Sequence, residues 1–235
     1  MLHLLLTNDD GIEEAGIRAL YQACEGLGKV TVVAPSHTCS GIGHAVTTAR
    51  PLAVSRYATD WFSVNGTPAD CSRIAARSVA PDADWILAGI NHGANLGVDV
   101  YTSGTVAAAR EAAILGFRAV AFSQYVKVGL NVDWEWTAGQ VRQVFEQLLA
   151  SPPAPGEYFN VNLPHLPPAA EVPEPIYCGV DPSPFDVQFR REDSEERGDD
   201  WLAHYEGVYA KRARIPGSDI DVCFEGAVAI SRLTL

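Results

Sequence analysis

Short apolar runs alternate with helical patterns through the first half of the chain, and this order constrains the fold more than any other feature. The runs HLLLT, KVTVVA, DWILA and RAVAFS have the composition of buried strands. Helical patterns lie between them at residues 14–25 and 105–115. Successive strand, helix and strand elements favour a parallel sheet with helices on its faces. The sequence therefore predicts an α/β fold with a mostly parallel sheet.

Further elements are predicted on either side of that alternation. AVTTARPLAVS and WFSVNG read as strands, and GTPADC reads as a helix start in which Thr67 caps and Asp70 completes a capping box. The same GTPADC segment has an alternative interpretation as a wall of a functional site. A last helix is predicted over residues 134–150, followed by the strand-like YFNVNLP.

The character of the sequence changes after Pro164. Eight prolines fall between residues 164 and 216, together with the charged run REDSEERGDD, which is typical of a solvated loop tip. We expect a catalytic core at residues 1–164 and an extension of hairpins and loops at residues 165–235 that takes part in oligomerisation. A strand at about 227–233 is a candidate to return to the core.

Charge and hydropathy exclude several partner classes. The net charge of −12 argues against nucleic-acid duplexes and anionic membranes, which are bound through clustered Lys and Arg. No apolar run approaches the ~20 residues of a membrane span, and the N-terminus lacks a basic region with a cleavage site. These features predict a cytoplasmic protein.

The loop TNDDG places Asp9 and Asp10 side by side directly after the first predicted strand. Ligands of open parallel sheets bind at the carboxyl ends of the strands. Two adjacent carboxylates without a nearby Lys or Arg in sequence are best stabilised by a divalent cation, and oxygen ligands favour Mg²⁺ or Mn²⁺. The alternative is that one aspartate only caps the first helix.

A second polar strand-end loop, AGINHGANLGVDVYTSGT, offers the amides Asn91 and Asn95 among glycines. It ends with Ser103, Gly104 and Thr105 at a helix start, where free N–H groups, the helix dipole and two hydroxyls form a candidate phosphate site. The alternative role of Ser103 is a simple N-cap.

Three loop histidines, His37, His44 and His92, could supply acid or base chemistry. A loop histidine is more often a structural hydrogen-bonding group, and His92, next to Asn91, is the best candidate for an exception. The GIG at residues 41–43 lacks the third glycine of a dinucleotide fingerprint.

Five motifs, in this order and at similar spacing, resemble the survival protein E (SurE) family: TNDDGI, VVAP followed by SGIGHAVT, NGTPADC, GINHGANLG and YTSGTVAAA. The resemblance is close over residues 1–123 and extends weakly to the end through FNVNLP. It implies a Rossmann-like three-layer core, here with a C-terminal β-hairpin extension. It also implies a metal-dependent phosphatase, a 5'/3'-nucleotidase that hydrolyses nucleoside monophosphates.

The resemblance also implies roles for single residues. The implied ligands of one divalent metal ion, Mg²⁺ or Mn²⁺, are Asp9, Asp10, Ser40 and Asn91. The two aspartates are the implied catalytic residues. The implied phosphate contacts are Asn95, Ser103, Gly104 and Thr105, in agreement with the helix-terminus argument.

Two alternatives to the phosphatase remain: a nucleotide-binding or sensing protein without turnover, and, more weakly, a haloacid dehalogenase type of phosphatase, which requires DxD rather than adjacent aspartates. Within the phosphatase hypothesis, either a water molecule or an aspartate attacks phosphorus. Base preference and the choice between 3' and 5' monophosphates are left open by the sequence.

The chain departs from the family pattern at two places. Glu13, Glu14 and Ala15 stand where the family commonly has His-Ala-Pro, and the family's C-terminal tail has no counterpart after Leu235. The resemblance implies a homodimer or homotetramer. Without the tail, we expect a dimer formed by the core and by hairpins that carry Trp201, Tyr205 and Tyr209.

Overall fold

The computed structural model describes residues 1–167, 170, 174–185, 187–193 and 200–235. The helices in this part are α1 Ala15–Cys24, α2 Pro68–Ile74, α3 Gly104–Ile114, α4 Trp134–Ala150 and α5 Asp219–Phe224. Its strands are β1 His3–Thr7, β2 Lys29–Pro35, β3 Val54–Ala58, β4 Trp61–Val64, β5 Trp85–His92, β6 Arg118–Gln124, β7 Glu157–Leu163, β8 Ile176–Tyr177, β9 Phe189–Asp193, β10 Trp201–Tyr205 and β11 Ala229–Thr234.

One large sheet forms the centre of the described fold, in the order β3-β4-β2-β1-β5-β6-β7-β11-β8. The strands from β4 to β7 are parallel to one another. Only β3 and β11 run antiparallel to the neighbours that attach them, β4 and β7. The α/β class with a mostly parallel sheet is confirmed.

Alternate residues of the strands pack into two different cores. Leu4 and Leu6 of β1 pack with residues of α1 and α4, whereas Leu5 between them packs with α2 and α3. This period of two places helices on both faces of the sheet, which gives three layers.

Helix α1 approaches the sheet closely at Gly16. A Cβ atom at this position would overlap the carbonyl oxygen of Ile90 in β5 and lie 3.4 Å from the Trp134 ring. Glycine therefore lets α1 pack directly on the strand whose carboxyl end carries Asn91.

Most predicted elements of the first 164 residues are present, and the capping box at α2 is confirmed. The backbone N–H of Asp70 donates to Thr67 Oγ1 at 3.1 Å, and the Thr67 N–H donates to Asp70 Oδ2 at 3.0 Å. The strand expected over AVTTARPLAVS is wrong for residues 45–53, which form a loop. This loop is fixed by side chains instead, because the Thr47 N–H donates to Asp70 Oδ1 at 2.8 Å.

The chain after Pro164 contains an antiparallel hairpin, a short helix and a strand of the main sheet. Strands β9 and β10 form the hairpin, and β11 pairs antiparallel with β7. Helix α5, which the sequence analysis missed, packs on Leu96 and Tyr125. Residues 194–199 of the predicted loop tip lie outside the described residues, and the division of the chain at residue 164 stays a prediction.

No helix in the described ranges has both the length and the apolar character needed to cross a membrane.

Candidate functional site

The loop after β1 is a tight turn that holds both aspartates at the carboxyl edge of the sheet. Asn8 Nδ2 donates to the Gly11 carbonyl at 2.7 Å, and the Gly11 N–H donates back to Asn8 Oδ1 at 3.3 Å. Gly11 has φ of +122°, a conformation that favours glycine. The turn therefore fixes the backbone of the two intervening residues, Asp9 and Asp10.

Asp9 is buried against the N-terminus of α3. The Thr105 hydroxyl donates to Asp9 Oδ1 at 2.5 Å, and a Cβ atom on Gly104 would lie 2.9 Å from Asp9 Cβ. The absence of a side chain at Gly104 lets the positive end of the helix dipole approach the carboxylate.

Asp10 has a different donor. Its Oδ2 accepts a hydrogen bond from the His92 N–H at 3.1 Å, at the end of β5. The two adjacent carboxylates are thus held by separate elements of the fold, α3 and β5.

Both carboxylates are easier to protonate than exposed ones. Burial raises the pKa of Asp9 to about 6, although the Thr105 hydrogen bond opposes the change. Burial also raises the pKa of Asp10, with the nearby Glu14 carboxylate adding to it and the His92 N–H opposing it. The site therefore carries negative charge that burial makes costly.

The chemistry of this donor set fits a divalent cation. Among the described residues, neither Asp9 nor Asp10 forms an ion pair with Lys or Arg, and no cluster of three or more His, Cys, Asp or Glu side chains is found. Two carboxylates supplemented by hydroxyl or amide oxygens match the preference of hard cations such as Mg²⁺ or Mn²⁺. A cation there would offset the buried charge.

The loop that carries Ser40 is attached directly to the aspartates. The Cys39 N–H donates to the Asp9 carbonyl at 2.7 Å, and the Thr38 hydroxyl donates to the Asp10 carbonyl at 3.0 Å. The structure thus brings Ser40, which is exposed, next to the pair. Its role as a metal ligand stays a prediction.

Asn91 lies at the carboxyl end of β5, and Asn95 lies in the loop that follows. Asn91 Nδ2 donates to the Gly93 carbonyl at 2.8 Å, which leaves its amide oxygen available as an acceptor. Asn95 is buried, and its Nδ2 donates to Ser123 Oγ at 2.8 Å. Its backbone N–H donates to Asn162 Oδ1 at 2.8 Å. The metal role of Asn91 and the phosphate role of Asn95 stay predictions.

Ser103 caps α3, because its Oγ accepts from the Val106 N–H at 3.1 Å. The N-cap alternative is therefore present in the structure. It is compatible with phosphate binding, since a hydroxyl that accepts one hydrogen bond still has its own proton to donate. The phosphate contacts of Ser103, Gly104 and Thr105 stay predictions.

With this geometry in place, comparisons with known proteins identify the chain. The model of the family described as survival protein SurE matches residues 4–178. The chain belongs to the SurE family.

Relatives of this family match along most of the chain. A Nostoc sp. protein named as a putative 5'-nucleotidase is 48% identical over 98% of both chains. The "5'-nucleotidase SurE" of Vibrio cholerae is 44% identical over 71% of this chain and 66% of its own length. The crystal structure of the SurE protein from Aquifex aeolicus superposes with a TM-score of 0.86 at 32% identity, covering 99% of this chain and 93% of that one.

An ionic network anchors the far end of the Ser40 loop, and the sequence analysis missed most of it. Glu111 of α3 is buried, and its two oxygens accept from Arg73 Nε at 2.6 Å and contact His44 Nε2 at 2.7 Å. The Gly43 N–H also donates to the Thr102 carbonyl at 2.9 Å. The SGIGH motif contains His44 and could have pointed to this network. The contact with Glu111 agrees with the interpretation of His44 as a structural hydrogen-bonding group.

The raised pKa of Asp9 gives a prediction for stability without added metal. Between the ordinary Asp pKa of about 3.9 and the folded value of about 6, the folded state binds more protons than the unfolded state. The free energy of unfolding should therefore fall as the pH rises through this window. Thermal unfolding with a chelator at pH 4.5 and 7 measures the change.

The variant Asp9→Asn is the matched control, because its amide does not titrate. The difference in melting temperature between the variant and the wild type should grow in favour of the variant from pH 4.5 to 7. A constant difference would contradict the burial of a charged Asp9.

Proposed function

We propose that this chain is a metal-dependent phosphomonoesterase that hydrolyses nucleoside monophosphates to nucleoside and phosphate. Relatives named 5'-nucleotidase support a hydrolase acting on phosphoric monoesters. The observation that carries the metal dependence is the buried Asp9 beside Asp10, with no Lys or Arg ion pair to either one within the described ranges. One Mg²⁺ or Mn²⁺ ion is the proposed cofactor.

Asp9 and Asp10 would hold the ion, with Ser40 and Asn91 completing the oxygen ligands. A divalent ion bound there supplies charge neutralisation at the phosphoryl group and lowers the pKa of water. The chain's own contribution is orientation: Thr105 fixes the Asp9 carboxylate, and the His92 N–H fixes that of Asp10.

The phosphate would lie against the N-terminus of α3. Ser103 Oγ retains its proton, and Asn95 Nδ2 has a second hydrogen beyond the one given to Ser123. These donors, with the backbone of Gly104 and the helix dipole, would orient the phosphoryl oxygens. A fixed phosphoryl group is what in-line displacement requires.

The nucleophile is either a water molecule or one of the aspartates. An aspartate nucleophile forms an aspartyl-phosphate, in which a carboxylate oxygen replaces the nucleoside oxygen on phosphorus before water releases phosphate. Rapid quenching with AMP labelled in its phosphate separates the two routes, because only attack by an aspartate leaves label on the protein.

Release of inorganic phosphate from AMP with Mg²⁺ or Mn²⁺, compared with a chelator, tests the proposal. A nucleotide sensor without turnover is the alternative, and it would bind AMP without releasing phosphate. Metal-independent hydrolysis would contradict the assignment of the aspartate pair.

Ser40→Ala should weaken metal binding and reduce turnover less than removal of either carboxylate does. A neutral hydroxyl contributes less to a hard cation than a charged oxygen does. Activity measured against Mg²⁺ concentration should show a higher half-saturating value with a largely recovered plateau. If added metal restores nothing, Ser40 is not a ligand.

A homodimer or homotetramer is the proposed assembly. The hairpin β9–β10 exposes Phe189, Trp201, Leu202 and Tyr205, and two strands alone rarely bury an apolar side. A cytoplasmic location stays a prediction.

A further inference from the structure

A cavity of about 430 Å³ lies at the carboxyl edge of the sheet, beside the ends of β6 and β7. Its floor is formed by Gln124 and Thr137, which are buried. Its walls are mainly apolar and include Leu130, Val132, Trp136, Leu166 and Pro167.

This cavity adjoins the aspartate site. Gln124 on its floor pairs with His92 in the β5–β6 register, and paired strands lie about 4.8 Å apart. His92 is the residue whose N–H donates to Asp10 at 3.1 Å. The His92 ring also lies 6.1 Å from that of Trp134, two residues before Trp136. The cavity thus begins one strand away from the residue that holds Asp10.

The polar groups that line the cavity are largely engaged by the protein itself. Gln124 Nε2 donates to two backbone carbonyls, and Gln124 Oε1 accepts from the Thr137 hydroxyl at 3.1 Å. His165 Nδ1 accepts from the Lys127 N–H at 3.1 Å. Asp133 caps α4 by accepting from the Trp136 N–H at 3.0 Å. The lining therefore offers mainly apolar and aromatic surface, to which the exposed Asn131 adds an amide and the exposed Asp133 a carboxylate.

A second cavity, which Tyr125 helps to line, has the opposite character. Its lining includes four cationic side chains, Lys127, Lys211, Arg212 and Arg214. An uncharged aromatic ring favours the apolar cavity, because apolar contact and stacking are the interactions that every nucleobase offers.

We propose that the apolar cavity binds the nucleobase of the substrate and that Trp136 stacks on it. The inference rests on the proposed function: a nucleoside monophosphate whose phosphate lies at Asp9 and Asp10 must place its base on nearby surface. The cavity then determines the preference for nucleotides over phosphomonoesters that lack a base.

Comparison of AMP with ribose 5-phosphate, which has no base, tests the proposal. Base stacking is worth about 1–3 kcal/mol on alanine substitution. Trp136→Ala should therefore raise the KM for AMP roughly tenfold and leave kcat/KM for ribose 5-phosphate within about twofold. Trp136→Phe should recover most of the loss, because it retains an aromatic face.

Tyr57→Ala is the matched control. Tyr57 is also a partly exposed aromatic residue, 43% exposed, but it lies on β3, the outermost strand on the side of the sheet away from β6 and β7. The substitution should change neither the KM for AMP nor the kcat/KM for ribose 5-phosphate. Leu130→Ala, in an exposed wall residue, provides a second test if Trp136→Ala does not fold, with a smaller effect in the same direction.

If Trp136→Ala lowers kcat/KM equally for AMP and ribose 5-phosphate, or leaves the KM for AMP unchanged, the proposal that this cavity binds the base is overturned. If the wild-type chain hydrolyses neither substrate, the proposed function fails, and adenosine binding measured by calorimetry decides the pocket separately. Weaker adenosine binding by Trp136→Ala would support the pocket, and equal affinity would overturn it.

Discussion

Asp9→Asn should remove nearly all turnover and leave the chain folded. The substitution keeps the shape of the side chain and its contact with Thr105, but it deletes the charge that we propose holds a divalent ion. A loss of about 4 kcal/mol of transition-state stabilisation corresponds to roughly a 1000-fold lower kcat. Phosphate release from AMP at saturating Mg²⁺ measures it, with circular dichroism to confirm folding.

Asp10→Asn should cause a similar loss, because the second carboxylate supplies the other half of the charge. Glu13→Gln is the control, since Glu13 is an exposed acid near the same loop with no predicted ligand role. Near-wild-type activity in either folded aspartate variant, with Mg²⁺ present, would overturn the metal assignment.

Gly16→Ala should strongly destabilise the fold, although it adds only one methyl group to α1. The new Cβ would overlap the Ile90 carbonyl oxygen, a backbone atom that cannot rotate away. Forced overpacking usually costs 1–3 kcal/mol, and we expect about 3 kcal/mol here because β5 is central to the sheet. Urea unfolding measures the free energy of unfolding.

Gly139→Ala is the matched control for that experiment. Gly139 is also a helical glycine, in α4, but a Cβ atom there has nothing within 4 Å. Replacing it should stabilise the chain by about 0.5–1 kcal/mol, because alanine loses less backbone entropy on folding. Equal changes in the free energy of unfolding at the two positions would mean that the close approach of α1 to β5 does not contribute to stability.

Local patterns predicted the elements that carry the site. The bounds of α4 match residues 134–150, because a long amphipathic pattern between a cap and a proline-rich break is read from neighbouring residues. The turn of Asp9 and Asp10 at the end of β1 was predicted for the same reason: strand and turn signals are adjacent in sequence.

Contacts between distant residues were beyond such patterns. Thr105, which donates to Asp9, lies 96 residues away, and His44 meets Glu111 across 67 residues. Val46, Thr47 and Thr48 favour a strand, yet residues 45–53 form a loop in which the Thr47 N–H bonds to the distant Asp70 side chain rather than to a neighbouring strand. Helix α5 was missed because six residues are too few for a periodic signal.

The attachment of α5 has a consequence for biosynthesis. The Gly97 N–H, in the loop between Asn95 and Ser103, donates to Asp219 Oδ2 across 122 residues, and β7 lacks its β11 neighbour until residues 229–234 have been made. From the synthesis of β7 until the last residues are added, a ribosome-bound nascent chain thus leaves one side of β7 unpaired and the loop with Asn95 and Ser103 without its Asp219 contact. We expect activity to arise only after α5 and β11 have emerged, so that a partly synthesised chain does not hydrolyse nucleotides.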